Sequence, residues 1–193
     1  MRKILLVLLI FMAGIALLYF VSQQFFKKAP QKEISFGIGN EEAANEAPKA
    51  PQIDYLAPDF ELASTAGEKV KLSDYKNKLV VLTFWTTWNP VAKDELAILD
   101  SYYQEIKNGK DERLVLLAIN SQEDKSVVAG FVGRGEYGLP VLLDETGKIG
   151  GLYGIATLPA TYFINREGKV KEIYVGMLSQ EELKSRIEKL STE

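Results

Sequence analysis

The pattern of apolar and polar residues over the C-terminal part of the chain predicts alternating strands and helices. Two nearly uninterrupted apolar runs, at 79–85 and 114–120, are rich in β-branched or aliphatic residues, which is typical of strands buried on both faces. Between them, Ala92, Leu96 and Leu99 recur at three- and four-residue spacing, which predicts an amphipathic helix. Two buried strands joined by a helix form a parallel crossover, so the pattern predicts an α/β fold.

Further elements are predicted on both sides of this crossover. Phe60 and Leu62 on one arm, and Val70 and Leu72 on the other, alternate around a turn at Gly67, which predicts a hairpin. The remaining pattern predicts short helices over 126–132 and 148–153 and a further short element over 139–144. It also predicts a buried strand directly after Pro159, a strand over 169–175, and a last helix after the capping box of residues 179–182.

The connection between the first buried strand and its helix has a distinctive composition. Asn89 is a favoured N-cap, and Pro90 is the favoured first residue of a helix. Asp94 and Glu95 place carboxylates near the positive end of the helix dipole. The strand is therefore predicted to feed a helix N-terminus through a short turn that carries an aromatic residue, Trp88.

The segment 84–92, Phe-Trp-Thr-Thr-Trp-Asn-Pro-Val-Ala, resembles the F-W-x-T-W-C-x-x-C signature of the ResA/TlpA-like thiol-disulfide oxidoreductases of the thioredoxin superfamily. Residues 57–62 resemble the opening of that family, and 158–168 resemble its x-P-T-x-F-x-I-D/N-x-x-G segment. The resemblance covers nearly all of residues 53–193. It implies a thioredoxin-like fold, in which helices flank a mixed central sheet and a cis bond before Pro159 faces the four-residue window.

The chain departs from this signature at both sulfur positions. Asn89 and Ala92 stand where the family has its two cysteines, and the chain contains no cysteine at all. Thiol-disulfide exchange needs a sulfur nucleophile, so no catalytic residue is predicted. Asn89 is interpreted as a helix cap in place of a thiolate, and Ala92 as a small residue under the helix start. Glu95 matches a carboxylate that tunes the cysteine pair in ResA-like proteins; without cysteines we interpret it as an acid on the helix surface.

The same segments predict a groove for a polypeptide. Trp85 is expected in the core, whereas Trp88 is interpreted either as an amphipathic rim for a peptide or as partly buried against the proline loop. The predicted groove consists of Thr87, Trp88, Asn89, Pro90, Leu158 and Pro159.

Composition excludes several classes of function. A formal net charge of −3 and a pI near 5.3 provide no basic footprint for nucleic acid. Without histidine or cysteine, the chain lacks the residues of Ser-His-Asp triads and of the usual zinc, haem and iron-sulfur sites. No metal and no cofactor are therefore expected.

The N-terminal residues have the composition of a membrane anchor followed by a tether. From Ile4 to Val21 the chain has no charged residue, and 18 residues at about 1.5 Å each can span a bilayer as a helix. A cleaved signal peptide is the alternative, but the run is long and lacks a small-x-small cleavage site. Residues 29–52 are rich in Ala, Glu and Pro, which is typical of a flexible linker. The predicted domains are 1–28, 29–52 and 53–193.

Three functions are compatible with these features. The first is a non-catalytic module that binds a polypeptide and assists a redox or cytochrome-maturation partner. The second is an oxidoreductase activity retained by an unusual cysteine-free route, and the third is a structural subunit of a membrane complex.

The charges that flank residues 4–21 are nearly balanced. An N-terminal tail this short normally stays in the cytoplasm, and the family resemblance implies the same orientation, with a single-pass protein in the cytoplasmic membrane and its C-terminal domain extracytoplasmic.

Overall fold

The computed structural model describes residues 50–109 and 112–192. The predicted anchor at 1–28 and most of the predicted linker lie outside these residues. Within the described ranges, no helix is both long enough and apolar enough to cross a bilayer.

The described residues form a seven-stranded mixed sheet with helices against it, as predicted. The elements in chain order are β1 (Glu61–Ser64), β2 (Lys69–Lys71), a 3-10 turn (Leu72–Tyr75), β3 (Leu79–Trp85), α1 (Ala92–Gly109), β4 (Leu114–Ser121), α2 (Lys125–Gly135), β5 (Val141–Asp144), α3 (Lys148–Leu152), β6 (Ala160–Ile164), β7 (Val170–Val175) and α4 (Gln180–Ser191). The strand order is β2-β1-β5-β4-β3-β6-β7.

The predicted crossover is confirmed. Strand β3 pairs in parallel with β4 on one side and antiparallel with β6 on the other. All seven residues of β3 are buried, which is why its sequence is continuously apolar rather than alternating. Because β3, β4 and β5 run parallel, their carboxyl ends meet at one edge of the sheet, where the loops of open α/β sheets commonly carry function.

Two apolar clusters cover the two faces of the sheet. Along β3, Val81 and Trp85 belong to one cluster and Val80, Leu82 and Phe84 to the other. The first cluster includes residues of α1, α2 and α4, and the second includes residues of α3. The alternation follows the period of two along a strand, so each face of β3 is covered by a different set of elements.

Two local predictions agree in detail with the structure. The hairpin pairs Leu62 with Val70 across β1 and β2. The capping box at the start of α4 is present, with Ser179 Oγ accepting from the Glu182 N–H and the Glu182 carboxylate accepting from the Ser179 N–H. The helix predicted over 126–132 is longer, since α2 continues through Gly133 to Gly135.

Candidate functional site

The turn after β3 presents one large apolar side chain to solvent. Thr86 is buried at the end of the strand, and Trp88, two residues on, is 70% exposed. Trp85 lies in the core at 1% exposed, as predicted. Trp88 is therefore not partly buried against the proline loop, and most of its apolar area is open; its interpretation as a rim for a peptide stays a prediction.

Asn89 bonds to two separate parts of the site. Its Oδ1 accepts the Val91 N–H at 3.1 Å, which is the capping bond predicted for the start of the helix. Its Nδ2 donates to the Leu158 carbonyl oxygen at 3.0 Å, across 69 positions of sequence. The amide at the first degenerate cysteine position therefore ties the helix start to the proline loop.

The proline loop lies where the resemblance implies. The Leu158–Pro159 bond is cis, Pro159 is buried, and Leu158 is half-buried. The second degenerate position, Ala92, is 1% exposed and packs with the cluster that contains Trp85. The window 89–92 and the segment before β6 are therefore neighbours in space.

A third segment borders this site, and sequence reasoning missed it. The Gly176 N–H donates to the Pro159 carbonyl oxygen at 2.9 Å, which holds the end of β7 beside the proline loop. Val175 is 58% exposed and Met177 is 38% exposed. Val175 and Met177 therefore flank the residue that bonds to the proline loop, and Trp88 precedes the helix start. All three side chains are apolar and exposed. The alternation of β7 gave no reason to single these two residues out.

Glu123 is a second site residue that sequence reasoning missed. Its carboxylate accepts the Thr87 N–H at 2.6 Å, the Asn120 Nδ2–H at 2.7 Å, and the Thr87 hydroxyl. Asn120 pairs with Trp85 across β3 and β4, so both strands end at the same level. The carboxyl ends of parallel strands meet at one edge of a sheet. The sequence could therefore have predicted that Glu123, three residues beyond Asn120, lies near the turn after β3.

Glu95 is buried, and its interpretation as a helix-surface acid was wrong. Its side chain is 2% exposed, and within the described part of the chain neither carboxylate oxygen has a hydrogen-bond partner. Burial raises the pKa of Glu95 to about 8, because the charged form loses its hydration. The position lies three residues after Ala92 and four before Leu99, so it shares the inner face of α1 despite its polarity.

The side chains of the window carry hydrogen-bonding and apolar groups. In residues 50–109 and 112–192, no group of three or more acidic, histidine or cysteine side chains is placed to hold a metal ion. The side chains at the window are an amide, a proline, a valine and an alanine, none of which carries a sulfur.

A strand-to-helix window facing a cis-proline loop on a mixed sheet defines a thioredoxin-like domain. The chain belongs to the AhpC/TSA family, whose model matches residues 53–173. It is similar to thiol-disulfide oxidoreductases of the ResA and DsbE type.

Three known proteins illustrate the similarity. The thiol-disulfide oxidoreductase ResA of Geobacillus thermodenitrificans is 31% identical over 141 residues, which cover 73% of this chain and 79% of the relative. The ResA of Bacillus subtilis is 35% identical over 124 residues, covering 64% and 68%. The crystal structure of a thiol:disulfide interchange protein DsbE from Chlorobium tepidum superposes with a TM-score of 0.64 at 25% identity, covering 74% of this chain and 98% of that one.

Proposed function

We propose that this chain is a membrane-anchored, extracytoplasmic thioredoxin-like module that binds a polypeptide and does not catalyse thiol-disulfide exchange. The observation that carries the proposal is the pair of hydrogen bonds made by Asn89. At the position of the attacking sulfur the chain has an amide that already bonds to the Val91 N–H and to the Leu158 carbonyl. The Asn89 side chain therefore joins two segments of the site by hydrogen bonds.

The binding part of the proposal rests on exposed apolar side chains around an ordered backbone. Trp88, Val175 and Met177 are exposed, while the backbone that carries them is held by bonds to Glu123 and Pro159. A rigid aromatic anchor with aliphatic neighbours is typical of the centre of a protein-binding surface. The proposed groove comprises Thr87, Trp88, Asn89, Pro90, Leu158 and Pro159, extended by Val175 and Met177.

The membrane part of the proposal rests on the sequence of the N-terminal residues. The 18 uncharged residues from Ile4 to Val21 are long enough for a single span, and residues 29–49 supply a tether. The partner that we infer is a polypeptide of a redox or cytochrome-maturation pathway, because the chain keeps the fold and groove surroundings of thiol-disulfide oxidoreductases.

The proposal is tested by binding of an unfolded probe to the purified full chain in detergent. A fluorescently labelled, fully reduced and alkylated protein serves as the probe, and fluorescence polarisation reports binding. We expect Trp88→Ala to weaken binding at least tenfold, which is the effect typical of an aromatic anchor. Val127→Ala is the matched control, since Val127 is 48% exposed on α2 and is expected to leave binding unchanged.

A photo-crosslinking amino acid separates groove binding from a structural role in cells. Placed at position 88, it is expected to capture a specific polypeptide that the same residue at position 127 does not capture. Capture from the tether at 29–49 but not from position 88 would contradict groove binding and favour a structural subunit of a membrane complex.

A further inference from the structure

A large cavity lies at the end of the sheet opposite the window. Its floor includes Val80 and Ile164, which pair across β3 and β6 and are 2% and 1% exposed. Val80 stands near the start of β3 and the window follows its end, so the two surfaces are separated by about six residues at roughly 3.3 Å each. The cavity has a volume of about 450 Å³, within the range of roughly 300–1,000 Å³ common for binding sites.

The rim of this cavity carries a surplus of positive charge. Lys76, Lys78 and Arg166 line it, and in the part of the chain that the structure describes none of the three is in an ion pair. The lining also holds two acids: Asp59 keeps its charge, since its partners are neutral amides, whereas Glu167 is paired with a lysine outside the lining. Asp59 Oδ1 accepts the N–H groups of Phe60 and Ser73, and the Glu167 carboxylate lies 2.8 Å from the Lys169 ammonium. The surplus stands out in a chain whose net charge is −3.

Two exposed apolar side chains adjoin this cavity: Leu56 in its lining, and Tyr55 one residue earlier in the chain. Tyr55 is 65% exposed and Leu56, which lines the cavity, is 68% exposed. Their backbone is ordered against the β6–β7 hairpin: the Val170 N–H donates to the Tyr55 carbonyl oxygen at 2.9 Å, and the Ala57 N–H donates to the Gly168 carbonyl oxygen at 2.8 Å. The fold therefore holds an aromatic and an aliphatic side chain outward instead of burying them.

We propose that this end of the domain docks on a bilayer surface that contains anionic phospholipid. Tyr55 and Leu56 enter the boundary between headgroups and acyl chains, and Lys76, Lys78 and Arg166 contact the lipid phosphates. An aromatic and an aliphatic side chain flanked by cations is the composition of interfacial membrane-binding surfaces. An acidic peptide would neutralise the charges of the three cations. However, Tyr55 and Leu56 are each about two thirds exposed, and the apolar layer of a bilayer would cover both side chains more fully than one extended peptide would.

This proposal rests on the membrane anchoring of the proposed function, because the tether keeps the domain next to the bilayer. Docking by this end points the window, at the opposite end of β3, away from the lipid. The orientation presents Trp88 to an extracytoplasmic polypeptide and would explain why the two surfaces lie at opposite ends of the same strand.

The experiment uses the full chain with one introduced cysteine, since the chain has none of its own. Ser73→Cys, in the cavity lining, and Ser126→Cys, on α2 at the other end of the sheet, are each labelled with an environment-sensitive fluorophore. The labelled chains are added to phosphatidylcholine vesicles with or without phosphatidylglycerol. We expect the label at 73, but not at 126, to shift to the blue and to lose quenching by aqueous iodide when the anionic lipid is present.

Charge variants test the role of the rim. Lys76→Gln/Lys78→Gln/Arg166→Gln should lower the ratio of docked to undocked label about a hundredfold, because each cation near an anionic surface contributes roughly fivefold. A control variant removes the same number of positive charges elsewhere: Lys93→Gln/Lys125→Gln/Lys148→Gln. It should change the ratio of docked to undocked label less than tenfold. Salt of about 1 M should reverse docking in the parent chain by screening.

Vesicle flotation distinguishes failure of this proposal from failure of the anchor. If the chain floats with both kinds of vesicle but the labels at 73 and 126 respond alike, docking is overturned and anchoring stands. If the chain floats with neither, anchoring and docking are both overturned. Flotation with anionic vesicles alone, together with the response at 73, would support docking and contradict the anchor.

Discussion

Asn89 Nδ2 donates to the Leu158 carbonyl oxygen at 3.0 Å, so one side chain joins the start of α1 to the loop before β6. In the ResA-like signature the position of Asn89 is a cysteine. The substitution removes the nucleophile and adds a hydrogen bond across the groove. The absence of the sulfur and the bond between the two segments thus both belong to Asn89.

The two bonds of Asn89 are expected to be separable by mutation. Asn89→Ala should lower the free energy of unfolding by about 2 kcal/mol, since it removes a helix cap and a bond to the proline loop worth about 1 kcal/mol each. Asn89→Ser keeps a capping oxygen but is too short to reach Leu158, so it should lose about half as much. Urea unfolding followed by circular dichroism measures both. Equal losses in the two variants would mean that the bond to Leu158 adds nothing.

Glu95 should make the stability of the domain depend on pH. Its folded pKa of about 8 lies above the ordinary carboxyl value of 4.5, so the folded state binds the proton more tightly than the unfolded state. The contribution of protonated Glu95 to the free energy of unfolding is complete below about pH 4.5. It is lost as the pH rises to about 8, and the free energy of unfolding falls by up to about 1.4 kcal/mol per pH unit in that range.

The Glu95 prediction is checked by urea unfolding at several pH values. Glu95→Gln should lose this pH dependence, because a neutral amide of the same shape has no proton to release. Glu68→Gln, at an exposed position on the β1–β2 turn, should keep the slope of the parent chain. A parent chain as stable at pH 9 as at pH 5 would show that Glu95 ionises without cost in the folded state.

Restoring both cysteines should restore a disulfide. Asn89 and Ala92 stand one turn apart at the start of α1, with Ala92 1% exposed, so Asn89→Cys/Ala92→Cys should form the bridge under mild oxidant. The disulfide is measured as a loss of two hydrogen masses by mass spectrometry and as the loss of both free thiols by thiol titration. Each single variant is the control, since one cysteine cannot close an intramolecular bridge.

The same pair of cysteines tests the absence of catalysis. The parent chain should show no disulfide-reductase turnover with a dithiol donor, and the double variant should show turnover above both single variants. Reproducible turnover by the parent chain, above a heat-inactivated sample, would contradict the non-catalytic proposal.

Glu123 is expected to hold the turn that carries Trp88. Glu123→Ala leaves the Thr87 N–H and the Asn120 amide without their acceptor, and it should cost about 2 kcal/mol of unfolding free energy. Glu123→Gln keeps one acceptor oxygen and should cost less than about 1 kcal/mol. Amide hydrogen exchange at Thr87 should accelerate at least tenfold in the alanine variant. Unchanged exchange there would show that the turn is held by other contacts.

The elements of the fold followed from local sequence because their signals are short in range. The apolar run of β3, the periodicity of α1 and the capping box at Ser179 each depend on residues within a few positions of one another. The contacts of Asn89 show where this limit falls. Its cap on Val91 was predictable from two neighbouring residues, whereas its bond to Leu158 joins residues 69 positions apart and depends on how β3 and β6 pair.

The sequence by itself determined the strands and helices, the order in which they follow, and the absence of sulfur at the window. The tertiary structure alone decided that Glu95 faces inward, that Glu123 holds Thr87, and that Val175 and Met177 adjoin the proline loop. The reason is physical: strand and helix formation reflect the local period of apolar residues. Burial of a polar group and contact between distant loops, in contrast, depend on strand pairing and on the elements that pack against each face.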